Sequence, residues 1–322
     1  PGRLRMGYND GNGYGVTARN WRHEGANYLA FGLQKSGAHI LVSPSGGQPS
    51  YLGKFDWANS LSVSKLPTAG DKILLQPGQG GFYLGNGAVP VIGANLMSQN
   101  LYGTGPAVQL RGDLFTLGDA RGIFADDDFI WVGDSYAGLA IFDARVPVQT
   151  SHVTTISMTG GYFHLLGIAD GLAYVSDGEE EQIEVYSLLQ EDHPQLGAFS
   201  LPGMGLKGVV DAVVEAGFLY LLIVQPEGAP TEILVVNASD PGNIEIDQTI
   251  SLLDAQDWRS RITVSGRRVY VGGDTVQIFD TRFNPATLLA AFVPRSRSFL
   301  VQPSGPYLMS LGADVERLSK SQ

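Results

Sequence analysis

Seven arginine and tryptophan residues lie where predicted short strands begin, and their side chains could bind a ligand. They are Trp21, Arg22, Trp258, Arg259, Arg261, Arg295 and Arg297. Arginine binds carboxylates and phosphates through two parallel hydrogen bonds, and the face of a tryptophan ring stacks on sugars or cations. If the fold brings them together, these residues would form a site for an anionic group, a glycan or an acidic loop of a partner protein.

The same arginines also have a purely structural interpretation. Each could form an ion pair with a local carboxylate, such as Asp119, Asp257 or Glu24, and so tie neighbouring sheets together. The ligand-site interpretation depends on where the strands begin. If the assignment shifted by one strand, the seven residues would no longer be predicted to lie together.

Residues that could catalyse a reaction or hold a metal ion are scattered along the chain. The sequence contains no cysteine, and its five histidines form neither a close pair nor a His-Glu-x-x-His motif. We therefore predict no zinc site, no cysteine nucleophile and no cofactor. An enzyme site would need a metal ion or an acid–base pair with shifted pKa values. It would be favoured if four residues converged within hydrogen-bond reach: Asp119, His164, Asp257 and Arg259.

One glycine-rich segment, residues 9–15, resembles a calcium loop, because Asp10 and Asn12 offer oxygen atoms at alternate positions. It lacks the bidentate glutamate and a third carboxylate, and a Gly/Asn turn between two strands explains the same residues. We expect the turn, with calcium at Asp10 and Asn12 as the alternative. The acidic runs at 126–128 and 179–181 are predicted to be exposed loops.

The elements that would position these residues are short β-strands. Alternating apolar runs recur throughout, and 42 glycines and 17 prolines are spread along the whole chain. Between residues 120 and 293 one pattern of strands is repeated four times, with central aromatic residues at Trp131, Tyr174, Tyr220 and Tyr270. Their spacing of about 40 to 50 residues is typical of the repeats of β-propellers.

Two segments of this pattern resemble the LVIVD-repeat family of β-propellers. Residues 138–143 read Gly-Leu-Ala-Ile-Phe-Asp and are followed by Pro147, and residues 170–177 read Asp-Gly-Leu-Ala-Tyr-Val-Ser-Asp. The pattern has some similarity to YVTN-type propellers as well. The resemblance implies a bacterial protein of a family whose members are often exported, so we expect a cell-surface, secreted or periplasmic location.

We predict an all-β fold in which residues 1–322 form a single seven-bladed β-propeller, with six or eight blades as alternatives; the chain could be part of a larger protein. The predicted blades span 26–67, 70–117, 120–158, 161–200, 207–252, 259–292 and 297–322. The last range contains only three predicted strands, which would leave one edge of the sheet unpaired. An unpaired edge can pair with another chain and cause aggregation. An N-terminal strand at 3–8 or 15–19 would close this blade.

Three polar residues end equivalent strands of the repeat: Asp143, Asn237 and Asp280. Their side chains can accept hydrogen bonds from backbone N–H groups of the turn that follows. We predict that they cap these turns and do not take part in catalysis.

Composition narrows the classes of function. The formal net charge of −11 disfavours a nucleic-acid partner, because binding to phosphates needs clustered Lys and Arg. The most apolar stretch, 209–224, is interrupted by acidic residues and is too short for a transmembrane segment.

We predict a non-catalytic binding module that contacts a protein partner, a glycan or an anionic group through loops at the mouth of the propeller channel. The alternatives are a hydrolase, lyase or lactonase with a carboxylate and arginine site at the same place, and a structural spacer domain.

Overall fold

The structure of the protein is a computed structural model. It describes residues 3–4, 17–23, 26–33, 37–43, 50–55, 72–78, 81–87, 95–100, 110–115, 120–125, 128–134, 137–143, 145, 151–158, 163–177, 182–201, 209–224, 231–254, 256, 260–294, 297–304, 307–312 and 315–319. Within these ranges every regular element is a β-strand, and the strands form seven four-stranded antiparallel sheets. No helix that could cross a membrane occurs in the described part of the chain. The predicted all-β class is confirmed.

The chain divides into two compact units, and the unit Asn9–Leu165 contains three sheets. Sheet 1 consists of β2 (Thr17–His23), β3 (Ala26–Leu33), β4 (Gly37–Ser43) and β5 (Ser50–Phe55). Sheet 2 consists of β6 (Lys72–Gly78), β7 (Gly81–Gly87), β8 (Asn95–Asn100) and β9 (Leu110–Phe115). Sheet 3 consists of β10 (Ala120–Ala125), β11 (Phe129–Asp134), β12 (Gly138–Asp143) and β13 (Ser151–Ile156).

The second unit combines Pro1–Tyr8 with Leu166–Gln322. Sheet 4 is formed by β14 (His164–Ala169), β15 (Leu172–Asp177), β16 (Gln182–Ser187) and β17 (Gln195–Ser200), and sheet 5 by β18 (Val209–Glu215), β19 (Phe218–Ile223), β20 (Glu232–Asn237) and β21 (Glu245–Ser251). Sheet 6 is formed by β22 (Ile262–Ser265), β23 (Arg268–Val271), β24 (Val276–Asp280) and β25 (Thr287–Phe292). Sheet 7 is formed by β26 (Ser298–Ser304), β27 (Tyr307–Gly312), β28 (Val315–Ser319) and the N-terminal β1 (Arg3–Leu4), which pairs with β28.

The first hairpin of sheets 4, 5 and 6 closes through a two-residue turn in which both residues have positive φ. The turns are Asp170 and Gly171 at 52° and 75°, Ala216 and Gly217 at 50° and 75°, and Gly266 and Arg267 at 60° and 58°. Two residues with positive φ match the right-handed twist of the flanking strands. This turn fixes the register of each hairpin.

The outer strand carries one extra residue at the same place in six of the seven sheets. The extra residues are Leu52, Arg111, Val153, Leu196, Asp247 and Leu289. Such a bulge bends an edge strand and discourages further pairing. Sheets 1 and 2 contain it although their sequences lie outside the clearest repeats, so the same structural unit recurs there.

The core of the unit with sheets 4 to 7 lies between successive sheets. In β19 the side chains alternate between two buried clusters: Leu219 and Leu221 pack with Ile183 of sheet 4, whereas Tyr220 packs with Val269 of sheet 6. The next cluster joins sheets 6 and 7. Because both faces of the middle strands are buried, the sheets stack face to face, as the blades of a propeller do.

Sheet 1 begins one strand earlier than predicted. Its strands span 17–55, whereas we expected a blade at 26–67. Only two residues separate β2 from β3, and a connection this short joins antiparallel neighbours of one sheet rather than two sheets. The expected fourth strand at 61–66 lies outside the described residues. From residue 72 onward the strands fall within the predicted ranges.

Candidate functional site

Three connections meet at one end of sheet 6, and two of the predicted binding residues lie among them. The crossing from sheet 5 leads into β22, the loop 272–275 joins β23 to β24, and the crossing to sheet 7 follows β25. Ile262 pairs with Val271 and Val276 with Phe292. The antiparallel order therefore places all three connections at the same end, which we call the strand-start end.

The crossing from sheet 5 is fastened to the strands and loop of sheet 6. The backbone N–H of Leu253 donates to Oε1 of the fully buried Gln277 at 3.0 Å. The carboxylate of Asp254 accepts a hydrogen bond from the backbone N–H of Thr275. These contacts hold the crossing against the loop 272–275.

A buried polar network continues this attachment towards sheet 5. The backbone N–H of Gln256 donates to Oγ1 of Thr231 at 3.1 Å, and the carbonyl of Thr231 accepts from the N–H of Leu252 at 3.0 Å. The hydroxyl of Ser260 donates to Oε1 of Gln256 at 2.7 Å. Gln256, Thr231 and Ser260 are all buried, and buried polar groups with partners fix a single arrangement of the chain.

The crossing to sheet 7 approaches the same loop from its other side. The backbone N–H of Ser298 donates to the carbonyl of Gly273 at 2.9 Å. A Cβ on Gly272 would lie 2.7 Å from the carbonyl oxygen of Ser298, and a Cβ on Gly273 would lie 2.7 Å from Nε2 of Gln256. Only glycine fits here without movement, so the loop is wedged between the two crossings.

Arg261 and Arg297, which we predicted to bind ligands, lie at this end. Arg261 is buried, and its Nη1 donates to the carbonyl of Ser260 at 2.7 Å. Arg297 precedes β26, and its Nη1 lies 3.7 Å from Oδ2 of Asp274 in the loop. The side chain of Arg297 is 33% exposed and that of Asp274 is 67% exposed. The charged group of Arg297 is therefore partly accessible at the surface, whereas Arg261 makes its hydrogen bond in the protein interior.

The other predicted binding residues lie elsewhere in the fold or outside the residues that the structure describes. Trp21 and Arg22 lie within β2, where they pair with Tyr28 and Asn27, and not in a crossing before a first strand as expected. Trp258, Arg259 and Arg295 are outside the described residues, as are Asp10 and Asn12 of the calcium alternative. In the described ranges no three His, Asp or Glu side chains are grouped so that they could hold a metal ion.

The enzyme alternative rests on residues that the structure describes only in part. His164 begins β14, whereas Asp119, Asp257 and Arg259 lie outside the described residues. Their convergence stays a prediction.

Two exposed apolar residues lie at the strand-start end, and we did not predict them from the sequence. Leu253 is 64% exposed and Val293 is 79% exposed. Each directly follows another apolar residue at the end of an outer strand: Leu252, which is buried, and Phe292, which packs against the core. Since successive side chains of an extended chain point in opposite directions, an apolar pair at a strand end indicates that one member faces outwards.

The opposite ends of the sheets carry the turn caps that the repeat predicted. The backbone N–H groups of Arg145, Ser239 and Arg282 donate at 3.0, 3.2 and 3.0 Å to the side chains two residues before them, those of Asp143, Asn237 and Asp280. The Arg282 guanidinium also donates to both carboxylate oxygens of Asp280, and these hydrogen bonds lower the pKa of Asp280 from 3.8 to about 2. The predicted capping role is confirmed.

Comparisons with known proteins show a similarity in fold only. No family model and no curated protein matches the chain. A solved protein from Lactobacillus plantarum matches with a TM-score of 0.62 at 10% identity, over 86% of this chain and 84% of the other. U3-55K matches with 0.62 at 12% identity, over 96% and 90%, and a chain of the mitotic checkpoint complex with 0.60 at 11% identity, over 91% and 86%. Together with the stacked four-stranded sheets, these similarities show an all-β fold of the β-propeller type.

Proposed function

We propose that this chain is a seven-bladed β-propeller that acts as a non-catalytic binding module, and that its strand-start end contacts a protein partner, a glycan or an anionic group. Seven four-stranded sheets among the described residues support the blade number. The pairing of β1 with β28 supports closure through the N-terminal strand. The similarity to a chain of the mitotic checkpoint complex, which is an assembly of proteins, supports a role in binding.

The observation that carries the proposal is a rigid loop that presents charge. The loop 272–275 is held by the N–H of Ser298 on one side and by the carboxylate of Asp254 on the other. It displays Asp274, and Arg297 lies beside it. A surface whose loops are already ordered loses little conformational entropy on binding, so contacts made there contribute more fully to affinity.

The experiment measures binding of defined anions to the full chain by isothermal titration calorimetry. The probes are citrate, a glutamate decapeptide, and neutral and sulfated oligosaccharides. We expect Arg297→Glu to weaken binding of the preferred anionic probe by about tenfold, because hydrogen bonds to charged groups contribute about 1.5 to 3 kcal/mol.

The matched control is Arg268→Glu, which makes the same charge change on an exposed arginine at the opposite end of sheet 6. This variant should bind like the parent. Failure of every probe to bind, or an equal loss in both variants, would contradict a site at the strand-start end.

We further propose that the chain is an LVIVD-type propeller that works outside the cytoplasm. The repeated hairpins with polar turn caps at Asp143 and Asp280 support the first point, and the second follows from the resemblance alone. Fractionation of cells that produce the protein, followed by detection in cytoplasmic and surface fractions, tests the location. Recovery in the cytoplasmic fraction only would contradict it.

A further inference from the structure

The outer strand of sheet 6, β25, is an apolar sheet edge without a charged side chain. Residues 287–293 read Thr-Leu-Leu-Ala-Ala-Phe-Val. Leu288 and Leu289 are 43% and 48% exposed. β25 pairs with β24 on one side, and among the described residues neither a strand nor a loop bonds to its backbone on the other side. Its outward N–H and C=O groups can therefore pair with a further strand.

The outer strands of sheets 4 and 5 are covered close to their bulges by a turn of the next sheet. A Cβ on Gly197 of β17 would clash with the carbonyl oxygen of Pro241, which lies in the turn between β20 and β21. The carbonyl of Asp247 in β21 accepts a hydrogen bond at 2.7 Å from Nδ2 of Asn284, which lies in the turn between β24 and β25. In both cases the covering turn joins the third strand of a sheet to its outer strand.

Sheet 7 has no turn of this kind to place over β25. Its third strand is β28 and its outer strand is β1, and these two strands lie at opposite ends of the sequence. The outer strand is therefore not joined to the third strand by a turn. Among the described residues, β25 lacks the cover that the outer strands of sheets 4 and 5 have.

Charge favours a second copy of the chain as the strand that pairs with this edge. Two copies with a net charge of −11 repel each other, and like charges directly opposite each other destabilise a strand pair. A strand that binds a different protein can carry charges that complement its partner, whereas a strand that pairs with itself cannot. β21 contains Glu245 and Asp247, which would face acidic residues of the other copy, but β25 contains no charge.

The bulge at Leu289 limits the length of such pairing but leaves a regular stretch beyond it. Residues 290–292 pair one to one with residues 276–278 of β24. Two identical antiparallel strands are related by a twofold axis, so one residue of the strand faces its own copy. Ala291 lies in the middle of the regular stretch and is exposed. Its small side chain allows two copies to approach each other at the axis.

We infer that β25 pairs antiparallel with β25 of a second copy of this chain, about a twofold axis at Ala291. The pairing would join two four-stranded sheets into one continuous sheet. It would satisfy outward backbone groups of both edges and cover the exposed apolar side chains of β25.

The first test measures self-association of the full chain by sedimentation velocity at increasing concentration. We expect a dimer, and Ala291→Lys should raise its dissociation constant by about tenfold or more, because the axis places the two lysines face to face. Thr249→Lys is the matched control, since Thr249 is exposed and is likewise the second residue after the bulge of β21. This variant should dimerise like the parent, and thermal unfolding checks that both variants are folded.

The second test examines the position of the axis. Ala291→Lys and Ala291→Glu should each associate weakly alone, whereas an equal mixture of the two should associate again, because opposite charges then face each other. The chain contains no cysteine, so Ala291→Cys can form a disulfide only between two copies. Residues directly opposite in antiparallel strands have the Cα separation that a disulfide needs. Mild oxidation should therefore cross-link Ala291→Cys at least about tenfold more than Thr249→Cys.

A parent chain that stays monomeric up to about 100 μM would overturn this pairing. A dimer that Ala291→Lys does not weaken would also overturn it, as would equal cross-linking of Ala291→Cys and Thr249→Cys, because either result would place the contact outside β25. If Ala291→Lys loses its fold, the cross-linking of Ala291→Cys still decides between these outcomes.

Discussion

Glu215 and Arg267 join two neighbouring sheets: Oε2 of Glu215 in sheet 5 accepts a hydrogen bond from the backbone N–H of Arg267 in sheet 6 at 2.9 Å. Oε1 of the same carboxylate accepts from the N–H of Gly266 at 3.0 Å. The guanidinium of Arg267 lies 3.8 Å from the centre of the Phe218 ring and donates to the carbonyl of Thr281 at 2.8 Å. One carboxylate and one guanidinium therefore fasten the turn of sheet 6 to sheet 5.

Glu215→Gln should lower the free energy of unfolding by about 1 to 2 kcal/mol. An amide offers one acceptor oxygen where the carboxylate offers two, so one of the two backbone N–H groups loses its acceptor. The measurement is urea unfolding at neutral pH. Glu245→Gln, on an exposed position of β21, is the control and should change stability little. Equal stability of Glu215→Gln and the parent would show that water replaces the carboxylate without cost.

Arg267→Gly should destabilise the protein even though it relieves backbone strain. Glycine at φ 58° would gain about 1 kcal/mol. The cation–π contact contributes about 0.5 to 2 kcal/mol and a charged hydrogen bond about 1.5 to 3 kcal/mol, so the losses are larger. Ala216→Gly is the matched control, since Ala216 has φ 50° and is exposed. Urea unfolding should show a gain of up to about 1 kcal/mol for this variant, and a gain for both variants would contradict the structural role of the Arg267 side chain.

Gly272→Ala should lower stability by about 1 to 3 kcal/mol, because the added Cβ would lie 2.7 Å from a backbone oxygen of Ser298, which cannot move aside like a flexible side chain. Gly242→Ala is the control, since the nearest atom to its Cβ would be the Asp240 carboxylate at 3.4 Å. Thermal unfolding of both variants measures the difference. A neutral Gly272→Ala would mean that the loop 272–275 is not wedged between the crossings.

Stability should fall in acid through the pair of Asp280 and Arg282. Because the pKa of the folded carboxyl is about 2, below its ordinary value of 3.8, the pair contributes fully above about pH 4 and is lost as the pH falls through about 2. Carbon-detected NMR titration of Asp280 measures this pKa directly. Arg282→Gln should raise it towards the ordinary value, and Arg268→Gln, which removes only a more distant charge, should raise it less. Titration of Asp280 near 4 in the parent would contradict the tight pairing.

Much of the fold could be predicted from local sequence, because the signals lie within a few residues of one another. The alternation around Tyr220 and Tyr270 predicted the middle strands, and the position of Asp143 and Asp280 at strand ends predicted their turn caps. Sheet 1 was misplaced because Thr17–His23 matches either the closing strand of one sheet or the first strand of the next. Local alternation cannot distinguish these two roles.

The candidate site depended on contacts between sheets, which no local pattern encodes. The sequence by itself determined a chain of repeated antiparallel strands with polar turn caps and with arginines before β22 and β26. Only the tertiary structure decided that Arg261 is buried, that Arg297 lies beside Asp274, and that Leu253 faces solvent. These outcomes depend on how sheets 5, 6 and 7 stack, because the depth of a crossing and the carboxylate that it meets are set by residues of the neighbouring sheet.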